Sequence, residues 1–448
     1  MTSIYSARWV LPIISPAIDN GAVAVEDTSI VAVGQASEIN TRFPAAPVFD
    51  FGTSVILPGL VNAHSHLELT VMRGFLEREE QDFFAWLRRL TVARLAMTPE
   101  DLFVSAMSGA VEAIRAGITC VGDSSSAAAQ SMKALRQIGL RGVVYQESFG
   151  PDPKLAVDNF AKLREQLDEL RTFQSENVRA GASPHAPYTV SAPQLELIAR
   201  WAIDEKLPLM MHAAESESEK SFMLEGTGAF ADGLRSRGID WQTPGISTIQ
   251  YLARHGVLET KPLLAHCINV DDREIELIKS CGASVAHCPR SNSKLGHGRA
   301  PFAKFVRAGV KVGLGSDSVA SNNNCDILEE ARFATLLARL PTCSITAEQA
   351  LLAATLGGAR ALGLERQIGA LAEGMQADLI VVGLDGAHQQ PVRDPVDALI
   401  FSSSGHDVRL TMVAGKEIFR EGSLTGIEQS ELLTELGRVR TKLDSISS

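Results

Sequence analysis

Eight short apolar runs, separated by longer stretches with helical periodicity, constrain the fold more than any other feature of this sequence. The first lies in the segment PGLVNAHSHLEL, residues 58–69, and the others are ITCVGDS, LRGVVYQES, VRAGASPHA, LPLMMHAAE, KPLLAHC, GASVAHC and VKVGLGSDS. Strands that alternate with helices form βα units and a parallel sheet. Because eight such strands can close into a barrel, we predict an α/β protein with a (β/α)8 TIM barrel.

The two ends of the chain carry a different, β-rich pattern. Residues 1–57 alternate short apolar runs with turn residues, and turn-punctuated strands return after the last βα unit. This pattern is typical of small antiparallel sheets. We therefore expect residues 1–57 and 366–428 to form one composite β-sandwich domain. Residues 58–365 would form the barrel, and residues 429–448 a helical tail.

The composition favours a globular α/β protein and excludes two classes of partner. Of the 448 residues, 45% are hydrophobic, which is enough for a large core. Against 42 basic side chains stand 53 acidic ones, so the net charge is −11, and the acidic excess is dispersed. Nucleic acids and anionic membrane surfaces both attract basic patches. We expect a small-molecule substrate, and neither nucleic acid nor membrane as a partner.

Cysteine usage and the absence of long apolar spans favour a cytoplasmic location. The six cysteines, Cys343 among them, form no CxxC pair, and in so long a chain we expect them to be reduced and mostly buried. The first apolar stretch contains Arg8 and lacks a small-residue cleavage site, which argues against a secretory signal. No apolar run approaches the about 18 residues that a transmembrane helix needs.

The segment at residues 58–69 contains two histidines, His64 and His66, on either side of one serine. Successive side chains of a strand point to opposite faces, so the two imidazoles project the same way and could bind one ion. A pair of core or capping histidines would give the same pattern. The pair alone does not decide between these interpretations.

Three other runs also end at a residue that could bind a metal or move a proton. His212 ends LPLMM and is followed by Glu215, His266 ends KPLLA, and Asp317 follows VKVGLGS. Barrel active sites form where the carboxyl ends of the strands converge, so these coincidences argue against core histidines. Imidazole and carboxylate ligands suit Zn²⁺ or Fe²⁺, and a bound metal can lower the pKa of water to about 7. The pattern predicts hydrolysis at a divalent metal.

Motifs between residue 58 and about residue 382 resemble those of the amidohydrolase superfamily. The branch is that of cytosine and guanine deaminases, methylthioadenosine/S-adenosylhomocysteine deaminases and triazine hydrolases. The matching segments are PGLVNAHSHLE, SPHAPYTVS, MHAAESE, LLAHC, HCPRSNSKLGHGRAP, GLGSDSVASNN and IGALAEGMQADLIVV. Together they are specific for the branch and only weakly specific for the substrate. We also expect a homo-oligomer.

The resemblance assigns roles to the strand-end residues. The implied ligands of the metal are His64, His66, His212 and Asp317. Asp317 would also take the proton of the metal-bound water, Glu215 would act as general acid/base toward the substrate, and His266 would orient the attacking hydroxide. Binuclear relatives carry a bridging lysine on the fourth strand, and the matching segment VRAGASPHAP has none. The resemblance therefore implies one ion, with zinc as the first choice and iron as the alternative.

Other residues of the matching motifs receive less specific assignments. His185 in SPHAPY resembles a substrate contact of the family, although a histidine in this proline-rich segment could simply hold a loop. We expect Asn292 and Ser293 to shape the loop after the seventh strand, and His287 to pack in the core.

Where relatives bind the sugar and the homocysteine group, this sequence departs from their pattern. Arg94 lies where methylthioadenosine/S-adenosylhomocysteine deaminases place a ribose-binding glutamate, and Gln146 lies near a carboxylate-binding arginine. The departures imply a substrate other than S-adenosylhomocysteine. The insert between Glu215 and His266 faintly resembles aminodeoxyfutalosine deaminases. The roles of Arg94, Gln146 and His297 stay open.

Three functions remain open from the sequence. The first is removal of ammonia from an aminated heterocycle by a metal-bound hydroxide, and a 5′-modified adenosine-type nucleoside is favoured because relatives with this residue set mostly deaminate. The second is displacement of chloride or an alkylamine from a triazine, or deamination of guanine or cytosine. The third is a non-catalytic scaffold, which the intact ligand set and Glu215 disfavour. The first two share their catalytic residues, so product analysis must separate them.

Overall fold

The computed structural model describes residues 1–339 and 344–446, whose strands form three hydrogen-bonded sheets. The strands are β1 (Thr2–Val10), β2 (Ile18–Glu26), β3 (Ser29–Gln35), β4 (Val48–Asp50), β5 (Ser54–Pro58), β6 (Leu60–Ser65), β7 (Ile118–Ser125), β8 (Arg141–Ser148), β9 (Val178–Pro184), β10 (Met210–Ala213), β11 (Leu263–His266), β12 (Ser284–His287), β13 (Lys311–Leu314), β14 (Leu379–Gly383), β15 (Val408–Val413), β16 (Lys416–Arg420) and β17 (Ser423–Leu424).

Two four-stranded parallel sheets, β6–β9 and β10–β13, together form the barrel. A parallel bridge between Ala182 and Leu209 joins the sheets on one side, and a bridge between Ser65 and Asp317 joins them on the other. These eight strands are the eight runs predicted from the sequence. The predicted (β/α)8 barrel is confirmed.

Helices fill the connections between the barrel strands and flank the end domain. They are α1 (Ala36–Arg42), α2 (Phe83–Leu95), α3 (Pro99–Arg115), α4 (Ala128–Ile138), α5 (Ala156–Arg171), α6 (Ala192–Glu205), α7 (Glu217–Glu225), α8 (Ala229–Ser236), α9 (Thr248–Arg254), α10 (Asp272–Cys281), α11 (Pro289–Lys294), α12 (Phe302–Ala308), α13 (Val319–Asn322), α14 (Ile327–Leu337), α15 (Ala347–Leu352), α16 (Gly358–Ala361), α17 (Pro395–Phe401) and α18 (Gln429–Ile446).

Helix α3 shows how local sequence sets these elements. Thr98 accepts a hydrogen bond from the backbone N–H of Asp101, the Asp101 carboxylate accepts one from the backbone N–H of Thr98, and Pro99 occupies the first turn. This capping box satisfies amides that a helix start leaves unpaired. The buried face of the helix, which includes Ala110 and Ile114, packs in the main core.

The β-rich ends of the chain form one continuous nine-stranded sheet. Its order is β17-β16-β15-β14-β5-β1-β2-β3, with β4 paired to β1. The ends meet where β14 pairs antiparallel with β5, Leu379 opposite Pro58. A β domain built from both chain ends is therefore confirmed, while the predicted bounds 1–57 and 366–428 stay a prediction. Helix α18 then returns to the barrel, where Lys442 donates a hydrogen bond to Asp101 and Val439 is buried.

A buried ion pair connects the barrel to the end domain. Arg141, at the start of β8, donates from Nε and Nη2 to the Asp378 carboxylate over 2.8 and 2.9 Å. Asp378 precedes β14 and also accepts a hydrogen bond from the backbone N–H of Ala414. Both charged side chains are almost fully buried. The charges are compensated as a pair, so removing one partner leaves the other buried and unpaired.

No helix within residues 1–339 and 344–446 is both long enough and apolar enough to cross a lipid bilayer. The cysteines in these ranges are free thiols, and most of them are buried, as predicted. Cys343 lies outside the described residues.

We predict that Arg141→Met lowers the free energy of unfolding by about 3–5 kcal/mol, because the Asp378 carboxylate loses its buried counter-charge. The double variant Arg141→Met/Asp378→Asn should recover part of this loss. Urea denaturation followed by circular dichroism measures both effects. Lys304→Met, which breaks the exposed pair with Asp272, is the matched control and should cost less than about 1 kcal/mol. An equal loss of unfolding free energy in Arg141→Met and Lys304→Met would contradict the stabilising role of the buried pair.

Candidate metal centre and substrate cavity

Four side chains meet at the carboxyl ends of β6, β10 and β13. His64 and His66 lie at the end of β6, His212 lies on β10, and Asp317 follows β13. The Nε2 atoms of His66 and His212 are 3.3 Å apart. Asp317 Oδ1 lies 3.4 Å from His64 Nε2 and 3.5 Å from His66 Nε2. The structure brings together the four residues that the sequence singled out as ligands.

The donor atoms of this cluster fit a divalent cation. His64 Nε2 is buried and has no hydrogen-bond partner within residues 1–339 and 344–446. Burial lowers the pKa of His64 to about 4 and holds the pKa of His212 well below its usual range, so both imidazoles offer a lone pair. Buried acceptors without a partner are costly, and a cation removes that cost. Neutral imidazoles beside a carboxylate are a donor set that suits Zn²⁺.

Neighbouring polar groups orient two members of the cluster. Asp317 Oδ2 accepts hydrogen bonds from Ser291 Oγ at 2.6 Å and Ser321 Oγ at 2.8 Å, which leaves Oδ1 facing the histidines. His212 Nδ1 donates to the backbone carbonyl of His185 over 3.0 Å, which directs Nε2 toward the cluster. Such partners fix ligand orientation in metal sites.

Glu215 and His266 form a second group beside the cluster. Glu215 Oε1 lies 3.5 Å from His266 Nε2 and 3.7 Å from His297 Nε2. Burial raises the pKa of Glu215 to about 7, so its carboxyl can give or take a proton near neutral pH. His266 Nδ1 donates to Asn292 Oδ1 over 2.8 Å, which turns Nε2 toward Glu215. Asn292, expected only to shape a loop, thus orients His266.

The backbone is strained at two of these positions. His266 has a φ of 73° and Asp317 a φ of 57°, in the left-handed region that residues other than glycine seldom adopt. Such conformations cost about 1–3 kcal/mol each and persist where the surroundings enforce them, often at functional sites. Here they accompany the turn of the chain out of β11 and β13, where both side chains join the site.

A cavity of about 800 Å³ opens onto both groups. Helices α2 and α8 form apolar walls, and the ring of Phe230 packs against those of Phe84 and Tyr188. His185 lines the cavity with its ring centroid 4.7 Å from that of His212, and its Nδ1 is hydrogen-bonded to Thr189. The position of His185 fits both interpretations left open by the sequence, because the side chain faces the cavity and also ties its loop.

Two carboxylates in the cavity wall were missed by the sequence reasoning. Glu68 accepts hydrogen bonds from Ser125 Oγ and from the backbone N–H groups of Ser126 and Ala127. Glu147, at the end of β8, accepts a hydrogen bond from Ser126 Oγ. The sequence offered a signal for Glu68, because it lies two residues after His66 and so close to the predicted site. For Glu147 it offered none, because nothing in the segment QES at residues 146–148 indicates a side chain that faces a cavity.

The structure shows the contacts of Arg94 and Gln146, whose roles the sequence left open. Arg94 Nη1 lies 3.5 Å from Glu147 Oε2, and its guanidinium lies over the ring of Phe149. Gln146 donates to the backbone carbonyls of Ser126 and Glu147, so it holds the loop at this end of the cavity.

The rings of His297 and Phe83 form a T-shaped pair with their centroids 4.4 Å apart. His287 is buried and stacks on Phe302, in agreement with the core position predicted for it.

Comparison with known proteins shows one family over most of the chain. The model of the amidohydrolase family matches residues 55–418, and a bacterial imidazolonepropionase-like composite domain matches residues 21–46. A 5-methylthioadenosine/S-adenosylhomocysteine deaminase of Nitratidesulfovibrio vulgaris is 32% identical over 95% of this chain and 92% of its own. A 5′-deoxyadenosine deaminase of Methanosarcina mazei is also 32% identical, over 95% and 94%.

Solved structures show the same fold. An adenosine deaminase from Xanthomonas campestris with bound zinc is 30% identical, with a TM-score of 0.87 over 99% of this chain and 98% of its own. Atrazine chlorohydrolase from Arthrobacter aurescens TC1, complexed with zinc, is 21% identical with a TM-score of 0.85 over 98% and 99%. Aminofutalosine deaminase from Helicobacter pylori is 22% identical with a TM-score of 0.77 over 94% and 100%. The last two likenesses show the fold alone.

We predict that zinc added to chelator-treated protein raises the midpoint of thermal unfolding. An ion that binds only the folded state stabilises it by about 4 kcal/mol at 1,000 times its dissociation constant. Differential scanning calorimetry measures the shift. His66→Ala should lose it, while His388→Ala, a histidine with 55% of its side chain exposed, should keep it. The same shift in the His66 variant and the wild type would contradict the placement of the site.

Proposed function

The chain belongs to the amidohydrolase family, and we propose that it removes the amino group of a 5′-modified adenosine-type nucleoside by hydrolysis. The observation that carries the proposal is the pairing of Glu215, whose pKa burial raises to about 7, with a cation-binding cluster in one cavity. Deaminase relatives at 32% identity over 95% of the chain support the substrate class.

We propose that one zinc ion is bound by His64, His66, His212 and Asp317. The buried, unpartnered His64 Nε2 and the short distances among these four donors support this set. The zinc bound in the structure of the 30% identical adenosine deaminase favours zinc over iron. When bound, a divalent cation acts as a Lewis acid and makes water a stronger nucleophile near neutral pH.

Glu215 is the proton carrier in this proposal. An amino group on an aromatic ring leaves poorly until the ring carbon has been attacked and a proton has reached the ring nitrogen. A carboxyl with a pKa of about 7 is protonated in a large fraction of molecules at neutral pH, so Glu215 can donate to purine N1. Once it has donated, the carboxylate can accept the next proton and pass it to the departing amine.

His266 and Asp317 serve the attacking water. Although burial alone would raise it, the His64 imidazole, whose Nε2 lies 3.4 Å from Oδ1, holds the pKa of Asp317 well below its usual range. The group is therefore a carboxylate, which can accept the proton that the water loses. The Nδ1–H bond to Asn292 keeps His266 Nε2 directed at the reaction site, where it can hold the forming tetrahedral centre. His185 lies where it can contact the purine from the cavity wall.

We further propose a cytoplasmic enzyme. The free thiols of Cys120, Cys267 and Cys288 fit a reducing compartment. The homo-oligomeric state expected from the sequence stays a prediction.

The direct test of this function is to incubate the zinc-loaded protein with 5′-deoxyadenosine, 5′-methylthioadenosine, S-adenosylhomocysteine, guanine, cytosine and a chlorinated triazine. We expect ammonia release and the adenine-to-hypoxanthine absorbance change with the first two nucleosides. Turnover of the triazine with no turnover of any adenosine would overturn the nucleoside assignment. No product from any compound would favour a scaffold without catalytic function.

We predict that Glu215→Gln keeps its metal but loses turnover by at least about 10²-fold, because the amide cannot carry the proton. Steady-state kinetics and elemental analysis of the same preparation measure the two effects. The control is Glu217→Gln, an exposed glutamate two residues away that pairs with Lys220, and it should keep full turnover. Full activity in the Glu215 variant would remove this residue from the mechanism, and loss of metal would make it a ligand.

A further inference from the structure

One carboxylate of the cavity has no part in the chemistry described above. Glu147 lies at the end of β8 with only 4% of its side chain exposed, on the wall that faces His66, His185 and His212. Candidate ligand atoms of Glu147, His185 and His212 lie within 4.8 Å of one another. Glu147 is therefore close enough to the reaction site to touch a bound substrate.

Neighbouring groups bind one oxygen of the Glu147 carboxylate and leave the other able to accept a hydrogen bond. Oε2 accepts a hydrogen bond from Ser126 Oγ at 2.5 Å and lies 3.5 Å from Arg94 Nη1. Oε1 has His66 Nδ1 at 3.9 Å, beyond hydrogen-bonding distance. No hydrogen bond to Oε1 forms within the part of the chain that the structure describes.

The side chain is buried, and only one of its two oxygens accepts a hydrogen bond within the described residues. A carboxylate oxygen that faces a cavity can accept a further hydrogen bond from a donor of a bound molecule. Glu68, the neighbouring carboxylate, differs because Ser125, Ser126 and Ala127 already satisfy it.

We infer that Glu147 accepts a hydrogen bond from a sugar hydroxyl of the substrate and so selects ribonucleosides over their deoxy analogues. The inference rests on the proposed function, because an adenosine-type nucleoside whose amino group faces the metal cluster has its remaining donors on the sugar. Arg94 lies beside Glu147 and over the ring of Phe149, in the wall of the same cavity.

The test pairs a change in the protein with a change in the substrate. We expect the wild type to prefer 5′-deoxyadenosine over 2′,5′-dideoxyadenosine or 3′,5′-dideoxyadenosine. Glu147→Gln should lower kcat/KM for 5′-deoxyadenosine by about 10- to 100-fold, the size expected for a hydrogen bond to a charged group. It should leave kcat/KM nearly unchanged for the analogue that lacks the contacted hydroxyl. Most of the loss should fall on KM, because the contact does not take part in the chemical step.

Glu68→Gln is the matched control, because it alters a neighbouring carboxylate of the same cavity that is fully hydrogen-bonded. It should change kcat/KM for all three nucleosides by one common factor. Glu147→Asp, which withdraws the carboxylate by one methylene, is the second variant if Glu147→Gln fails to fold, and it should also reduce the sugar preference.

Two results would overturn the inference. The first is an equal loss with all three nucleosides together with reduced metal content, which would make Glu147 a positioning residue for His66. The second is an active wild type without a sugar preference. Failure of the proposed function looks different, because the wild type would then turn over no adenosine at all, and the inference would fall with it.

Discussion

The barrel closes where the residues that follow β13 run beside the end of β6. The backbone N–H of Asp317 donates to the carbonyl of His64 over 2.9 Å, and the bridge between Ser65 and Asp317 joins the two halves of the barrel. The strands approach this closely because Gly315 has no side chain; a Cβ there would lie 2.9 Å from His64 Cβ. The contact that closes the barrel therefore also brings His64 and Asp317, two of the proposed metal ligands, together.

This arrangement buries several ionisable groups, which differ in how far their neighbours compensate the charge. Asp317 faces imidazoles on one oxygen and serine hydroxyls on the other. Glu215 has histidines in reach but no close hydrogen bond to its carboxyl within the described residues, and burial raises its pKa to about 7. Similar residue types thus acquire different protonation states, as separate acid and base roles require.

The sequence predicts those parts of the structure that depend on the regular spacing of apolar runs or on the position of a residue at a strand end. Eight apolar runs at regular spacing identify the barrel strands, and His64, His212 and Asp317 stand at strand ends, where barrel geometry makes side chains converge. The closing of the barrel follows from the same eight runs, and the joining of the two chain ends in one sheet follows from the separate β-rich pattern of those ends.

Residues whose role depends on a particular neighbour could not be predicted in this way. Asn292 orients His266 across 26 positions of sequence, and Glu147 meets Ser126 and Arg94 across 21 and 53. A single sequence does not show which side chains meet across different βα loops. The sequence therefore identifies the candidate ligands and proton carriers but not the neighbouring groups that orient them.

The proposed deamination requires one divalent ion held at the carboxyl ends of the barrel strands. Titration of the chelator-treated protein with zinc, with 5′-deoxyadenosine deamination and bound metal followed together, tests this requirement. We expect activity to rise linearly and to stop at one ion per chain. Activity without metal, or a rise that continues to two ions per chain, would contradict it.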